Sequence, residues 1–455
     1  MTASSLNSRE KRAAITLASV FAFRMLGLFM LMPVLAIYGQ QLVGFSPLWI
    51  GLAIGAYGLT QAVLQIPMGW LSDKIGRKKV IVGGLCMFAL GSVIAATAES
   101  IQMVTLGRAL QGMGAIASAL LALASDLSRD EQRPKVMAVI GMCIGMSFAV
   151  AMLLGPMVAA SWGIAGVFWL TAGLAVLGIF IILLLVPNAV NKAPKGDTLA
   201  TLSDIKQLIQ HPQLARLDIG VMLLHLTLTA VFVALPGQLI KDGLIAEHHW
   251  YLYIPVLFLA FFLMAPIMII AIRKEREKHA FIGSIALLVF SMVALSLWVN
   301  SIIGIAICML LYFIAFNFLE ATMPALVSRL APANQKGSAM GVFSSTQFFG
   351  AFLGGLLGGY IAQALTAHAV FAAAALVGVI WLILAWRMQV PPRSKIISLM
   401  TELSSEQQAQ SLASRLVALP GVIEATVVRD ENRSYLKIND KEFDLNQARK
   451  AAGLI

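Results

Sequence analysis

Long apolar runs separated by short polar clusters dominate the first 390 residues. A helix rises roughly 1.5 Å per residue, so a run of about twenty apolar residues crosses the hydrocarbon core of a bilayer. Such runs lie near 13–38, 48–71, 79–98, 102–127, 134–160, 164–186, 213–240, 249–272, 279–298, 302–328, 335–364 and 367–389. The pattern predicts an all-α membrane protein with twelve spans.

The polar clusters sort by charge. One set of loops holds twenty Lys and Arg, from Arg9, Lys11 and Arg12 through Lys74, Arg77, Lys78 and Lys79 to Arg329 and Lys336. The alternate loops hold Lys241 alone. Basic loops stay on the cytoplasmic side, which predicts that both termini are cytoplasmic. Between the sixth and seventh runs, Pro187–Pro212 is largely polar, with apolar residues at helical spacing over 202–209. That spacing predicts a short amphipathic helix lying along the membrane face.

The linker divides the runs six and six, and a weak repeat supports the division. Glu131–Val139 aligns with Asn334–Val342 at an offset of 203, Gly155 with Gly358 at the same offset, and Arg77 with Arg276 at an offset of 199. Two parallel six-helix bundles with a site between them is the implied architecture. The domains predicted are 1–190 and 213–390 for the bundles, 191–212 for the linker and 391–455 for a tail.

After Pro391 the long apolar runs stop; the last 65 residues hold nine basic and eight acidic residues. Lys395–Met400 reads as a strand, and Ser404 or Ser405 caps a helix that ends at Pro420-Gly421. Val422–Arg429 alternates as a second strand with Ile423, Ala425 and Val427 on one face. Asp430–Ser434 turns into Tyr435–Ile438, and Asp444 opens a last helix. The order βαββα is similar to a ferredoxin-like α+β fold without its final strand, leaving a sheet edge that suits self-association or a regulator.

Composition agrees with lipid as the main solvent: 59% of residues are hydrophobic and 12% charged, against about a quarter charged in soluble proteins. Mean hydropathy is +0.85. The net charge of +11 sits at the ends of apolar runs with no aromatic-basic patch, which argues against a nucleic-acid partner. Cys86, Cys143 and Cys308 are widely spaced within apolar runs and read as buried inert thiols, not a disulfide framework or metal site. The polar first twelve residues lead into a run without a small-residue cleavage site, so that run reads as a first span. No nucleotide loop, metal cluster or nucleophile–base pair appears, and an enzyme is not expected.

Four titratable groups are expected at membrane depth: Arg24, Arg108, His225 and Glu320. Such groups are costly in lipid and mark ion or substrate paths. Glu320, read as the one carboxylate well inside a span, with Asn317 three residues earlier on its face, is the candidate proton-coupling group. The rival reading makes it a structural partner of Arg24 or Arg108. His225 titrates in the physiological range, although a lone histidine is as readily a packing residue.

Gly69-Trp70-Leu71-Ser72-Asp73-Lys74-Ile75-Gly76-Arg77-Lys78 joins the second and third spans. Gly69 permits close helix approach, Gly76 a tight reversal, and Asp73 suits the positive end of another helix. Arg77 is positioned to pair with Asp126. The segment resembles the signature loop of the major facilitator superfamily, with Lys74 in place of arginine. The equivalents of Gly69, Asp73 and Gly76 in the second half are Met268, Ile272 and Glu275, so a latch in the first half alone is expected. Arg108-Ala109-Leu110-Gln111-Gly112-Met113-Gly114 resembles a motif of proton-coupled members. Gly155-Pro156 resembles the kinked antiporter motif, with three family glycines replaced by alanine. Leu26-Gly27 and Pro33 resemble a first-span pattern of drug:proton antiporters.

The resemblance implies a proton-driven secondary transporter of a bacterial inner membrane, working by alternating access on a small molecule. It draws on the proton gradient and needs no cofactor; lipid, protons and the cargo are its partners. The motifs favour efflux of amphiphilic or hydrophobic molecules. A proton-linked metabolite importer and a non-transporting ligand sensor are the alternatives. By the same analogy Asp73 meets the start of the eleventh span near Lys336.

Overall fold

The computed structural model describes residues 6–129, 132–187, 202–297, 301–332, 335–389, 395–401, 406–428, 433–439 and 442–454. The first crossing is a broken helix, α1 (Ser8–Met30) and α2 (Met32–Tyr38). Then come α3 (Pro47–Ile75) and α4 (Arg77–Ala96), and a fourth crossing split into α5 (Ile101–Met113) and α6 (Ala117–Asp126). The element α7 (Arg133–Phe180) runs on into a π-helical turn at Ile181–Leu185. The second half holds α9 (Pro212–Lys241), α10 (Trp250–Arg273), α11 (Glu277–Leu297), α12 (Ile302–Leu330), α13 (Lys336–Ala364) and α14 (Ala367–Trp386). The linker helix α8 (Leu202–Gln210) precedes them.

Eleven stretches are long and apolar enough to cross a membrane, and one of them, Lys135–Leu185, is 51 residues long. At about 1.5 Å per residue that stretch exceeds twice the bilayer core. It turns back at Gly163, whose φ of 65 and ψ of −172 are not helical, and so supplies two crossings. The protein has twelve crossings in two six-helix bundles.

The halves meet along α3 and α13. Gly51 faces Gly355 so closely that a Cβ on Gly51 would stand 2.0 Å from the Gly355 carbonyl oxygen, and one on Gly359 2.6 Å from that of Pro47. Small residues let helix backbones approach in lipid, where dispersion and not water drives association. This seam lies toward the face opposite the basic loops, where the Leu48 amide also donates to Gln363 Oε1 at 3.3 Å. On the basic face, α6 packs against helices of its own half. The α3–α13 pairing continues toward the basic face, where a Cβ on Gly58 would stand 2.6 Å from the Phe348 carbonyl and one on Gly341 3.8 Å from Ile66.

Many basic residues of the first half have local partners. Arg12 Nε donates to the Leu185 carbonyl at 2.7 Å and Lys78 Nζ to that of Val186 at 2.6 Å. Both cations neutralise the carbonyl end of the sixth crossing. Glu10, 2% exposed, accepts from Arg129 Nε at 2.8 Å, which ties the first helix to the segment after α6.

The tail folds as β1 (Lys395–Met400), α15 (Glu406–Val417), β2 (Val422–Val428), β3 (Arg433–Ile438) and α16 (Leu445–Ala451). Its antiparallel sheet has the order β1-β3-β2, the ferredoxin-like arrangement without its last strand. One expectation changes: the register shifts between Val422 and Glu424, so Ile423 turns out to 44% exposure while Val422, Ala425 and Val427 face the core. The expected cap at Ser404 or Ser405, most of the 430–434 turn and the boundaries near 190 and 390 lie outside the described residues. Lys437 Nζ donates to the Ala331 carbonyl at 3.3 Å, beyond the end of α12, and lies 3.9 Å from Glu424. Burial holds this ammonium below the usual lysine range, with Glu424 opposing the shift.

Candidate functional site

Glu320 of α12 and His225 of α9 come together through a residue the sequence reading passed over. Gln347 of α13 places its amide nitrogen 2.8 Å from His225 Nε2 and 3.0 Å from Glu320 Oε1. An amide NH2 donates only, so His225 Nε2 accepts and the ring proton sits on Nδ1, directed at the Val221 carbonyl 3.3 Å away. His225 Nε2 lies 3.8 Å from Glu320 Oε2, and that oxygen is buried without a hydrogen-bond partner among the described residues. Phe316 stands 5.7 Å from the imidazole. From there Phe313, Phe148 and Phe29 form a ring-to-ring chain into the first half, with centroids 6.1, 6.1 and 5.0 Å apart. Asn317 is half-buried one turn before Glu320.

The arginines lie elsewhere, in the first half. Arg24 and Arg108 are each 1% exposed, on either side of Tyr57, with guanidinium carbons 5.7 and 4.9 Å from its ring centre. Arg108 Nε donates to the Ala53 carbonyl at 3.2 Å and Nη1 to Gln111 at 2.7 Å; Gln111 in turn donates to Ser92 at 2.7 Å. The motif's arginine and glutamine, three residues apart on one helix face, hold each other and brace α5 on α4. Arg24 donates to Gln61, and Gln61 to Gln65 at 2.5 Å. The rival reading of Glu320 as partner to either arginine is not met: its partners are Gln347 and His225.

The loop between α3 and α4 is tightly paired. Gly76 takes φ 105. Arg77 pairs with Asp73, reaches Asp126 Oδ2 at 3.3 Å and donates to Ser72 at 2.7 Å. Asp73, expected against the start of α13, thus has a partner in its own loop. Gly69 packs on Ser118, where a Cβ would come to 3.1 Å. The second half repeats this device in altered chemistry. Glu275, at the position of Gly76, is the one non-glycine residue with positive φ, at 55, among those described. Glu277 of α11 pairs with Arg329 of α12 at 2.6 Å. By the repeat offsets these are the counterparts of Lys78 and Asp126. The second half thus also joins two of its helices by an acid–base pair, but from another position: Arg77, which meets Asp126, corresponds to Arg276, and Lys78 meets the Val186 carbonyl instead.

Comparison with known proteins settles the family. The family model for the Major Facilitator Superfamily matches residues 17–355 and 217–428. The chain belongs to the major facilitator superfamily. It is 42% identical over 447 residues to the inner membrane transport protein YajR of Escherichia coli K12, covering 97% of this chain and 98% of that one. An uncharacterized transporter of Buchnera aphidicola subsp. Acyrthosiphon pisum is 33% identical over 350 residues, 77% of this chain and 90% of its own. Among solved structures, an inward-facing, occupied bacterial homologue of the lysosomal transporter Spinster aligns with a TM-score of 0.68 at 12% identity. It covers 84% of this chain and 97% of that chain. The protein is a multi-pass inner-membrane transporter of this superfamily, not an enzyme.

The remaining superfamily motifs act through packing. A Cβ on Gly155 would stand 2.5 Å from the Met30 carbonyl, and one on Gly27 2.5 Å from Thr171. Gly155 therefore seats the fifth crossing on the break between α1 and α2, where Pro33 begins the new helix. The helix α7 continues through Pro156, and its non-helical residue is Gly163. Two further expectations need correction. Asp218 of α9 is a further carboxylate inside a span, 8% exposed with Oδ1 unpartnered among the described residues; its place near a helix end hid it. Of the three thiols, Cys86 is exposed, Cys143 half-buried and Cys308 buried. Gln347 carries no charge and follows Ser344, Ser345 and Thr346. Four polar residues in a row inside a span were the available signal.

Proposed function

We propose that this protein is a proton-coupled antiporter that exports small amphiphilic or hydrophobic molecules by alternating access, with both termini in the cytoplasm. The observation that carries the reading is the Gln347 amide shared between His225 and Glu320, which come from three helices of one bundle. A proton arriving on His225 Nε2 turns an acceptor into a donor and breaks the bond to the Gln347 NH2 group. The new imidazolium then takes Glu320, 3.8 Å away, as its partner. Proton uptake thus removes the hydrogen bond from Gln347 of α13 to His225 of α9, and α13 is the helix that forms the seam with the first half. A change of partners that favours one packing of a two-state seam shifts the population between the states. The aromatic chain from Phe316 to Phe29 supplies an apolar path between the bundles, which suits an amphiphilic cargo.

The test is flux in proteoliposomes of known orientation under an imposed pH gradient, using a fluorescent amphiphilic dye as probe. Dye moving against the proton flow, with the gradient dependence lost in Glu320→Gln, is the expected result. Dye moving with the protons indicates an importer. Transport that keeps its gradient dependence in Glu320→Gln removes Glu320 from the coupling.

A further inference from the structure

The first half holds two buried cations that no acid neutralises. Arg24 and Arg108 are each 1% exposed, and among the described residues neither forms an ion pair. Arg108 is accounted for by Ala53 and Gln111. Arg24 is not: Nη2 donates to Gln61, while Nε and Nη1 are buried and have no hydrogen-bond partner. The Tyr57 hydroxyl between the two arginines is likewise buried and unpartnered. Buried polar groups are almost always hydrogen-bonded, and a desolvated charge without a counterion is costly. The rings of Tyr57 and Phe88, at 5.7 and 6.0 Å from the Arg24 guanidinium carbon, offset part of that cost but take no hydrogen bond.

We propose that Arg24, Tyr57 and Arg108 form a binding site for a small organic monoanion, with an aryl carboxylate as the best-fitting class. Three unpartnered N–H and O–H groups on two side chains all suit an acceptor, and the net charge of the cluster asks for a negative one. The aromatic walls suit an apolar body. Tyr57 also meets Phe348 of the second half, ring centres 6.2 Å apart. The site is therefore lidded by the seam and opens when α13 moves. Phe348 directly follows Gln347 on α13, so one helix borders both the anion site and the His225–Glu320 pair. An anionic headgroup held at Arg24 would give the amphiphilic cargo a fixed orientation.

This inference stands on buried charge and hydrogen-bond deficit, not on proton coupling, so a negative flux result and a negative binding result are distinguishable. Its test is thermal unfolding of the purified full chain in detergent, in sodium gluconate, with benzoate, benzamide or chloride added at matched ionic strength. Benzoate is expected to raise the midpoint saturably, while the neutral isostere benzamide leaves it unchanged. Arg24→Met should abolish the benzoate shift and, with the unpaired cation gone, raise the midpoint in gluconate alone. Tyr57→Phe, which removes one hydroxyl from a ring that otherwise stays in place, should weaken benzoate by about tenfold. Equal shifts from benzoate and benzamide, or a benzoate shift that survives Arg24→Met, overturn the site. A chloride shift as large as that of benzoate overturns the carboxylate assignment.

Discussion

Gln347 makes two hydrogen bonds that no neighbour can replace, because α13 presents no other amide to His225 and Glu320 among the described residues. Gln347→Leu keeps roughly the side-chain volume and removes both bonds. It is expected to lower gradient-driven flux by about tenfold or more, taking one lost charge-assisted bond as the guide, while gradient-independent exchange of the same dye persists. Equal losses in the two assays would make the residue structural. Single residues were unevenly legible in the sequence. Glu320, His225, Arg24 and Arg108 stand out because charge in lipid is expensive, whereas a neutral amide in an apolar helix leaves no such mark. Charge also could not say which acid meets which base: Glu320 was as near to the arginines in the list of buried groups as to His225, and only packing separates them.

At the scale of elements, the second half shows how a repeat persists after its residues have changed. The reversal at Gly76 survives at Glu275, which takes φ 55 despite its Cβ. Such a conformation costs a non-glycine residue roughly 1–2 kcal/mol. Glu275→Gly should therefore raise stability by about 1 kcal/mol, read from unfolding in mixed detergent, with no change in transport. The Glu277–Arg329 pair joins α11 to α12 at 2.6 Å. Glu277→Arg sets two cations together in a site where each side chain is 15% exposed, and is expected to cost about 3 kcal/mol. The double variant Glu277→Arg/Arg329→Glu should recover most of that loss, as a reciprocal pair must. If the double variant were as unstable as the single one, the pair would be incidental. Span positions were legible because hydropathy integrates over some twenty residues. The Glu277–Arg329 pair was not, because Glu277 stands where the first half has Lys78, and a residue-by-residue comparison scores that as a mismatch.

For the whole molecule, the seam between Gly51 and Gly355 joins the halves on the face opposite the basic loops. Gly355→Val would drive a side chain into the Gly51 carbonyl, 2.3 Å from where even a Cβ would stand. The expected result is a population shift toward a state open on that face. Spin labels at Gln40 and Leu365, in a background with the three cysteines replaced, should report a longer distance in the variant than in the wild type. An unchanged distance distribution would mean that the seam yields locally and does not gate. The bundle architecture was readable from run lengths and the linker, but not the seam, since the glycines of α3 and α13 look alike in sequence whether or not they touch.

The single-residue reversal at Gly163 has a mechanical meaning for the first half. The fifth and sixth crossings have no slack between them, the fifth is seated on the first at Gly155, and the far end of the sixth is held by Arg12 and Lys78. Helices bound in this way cannot slide past one another along the membrane normal without breaking a backbone contact at one end. The first bundle is therefore braced internally at both ends of these crossings. Such bracing suits the rocking of one half against the other that the proposed alternating access requires.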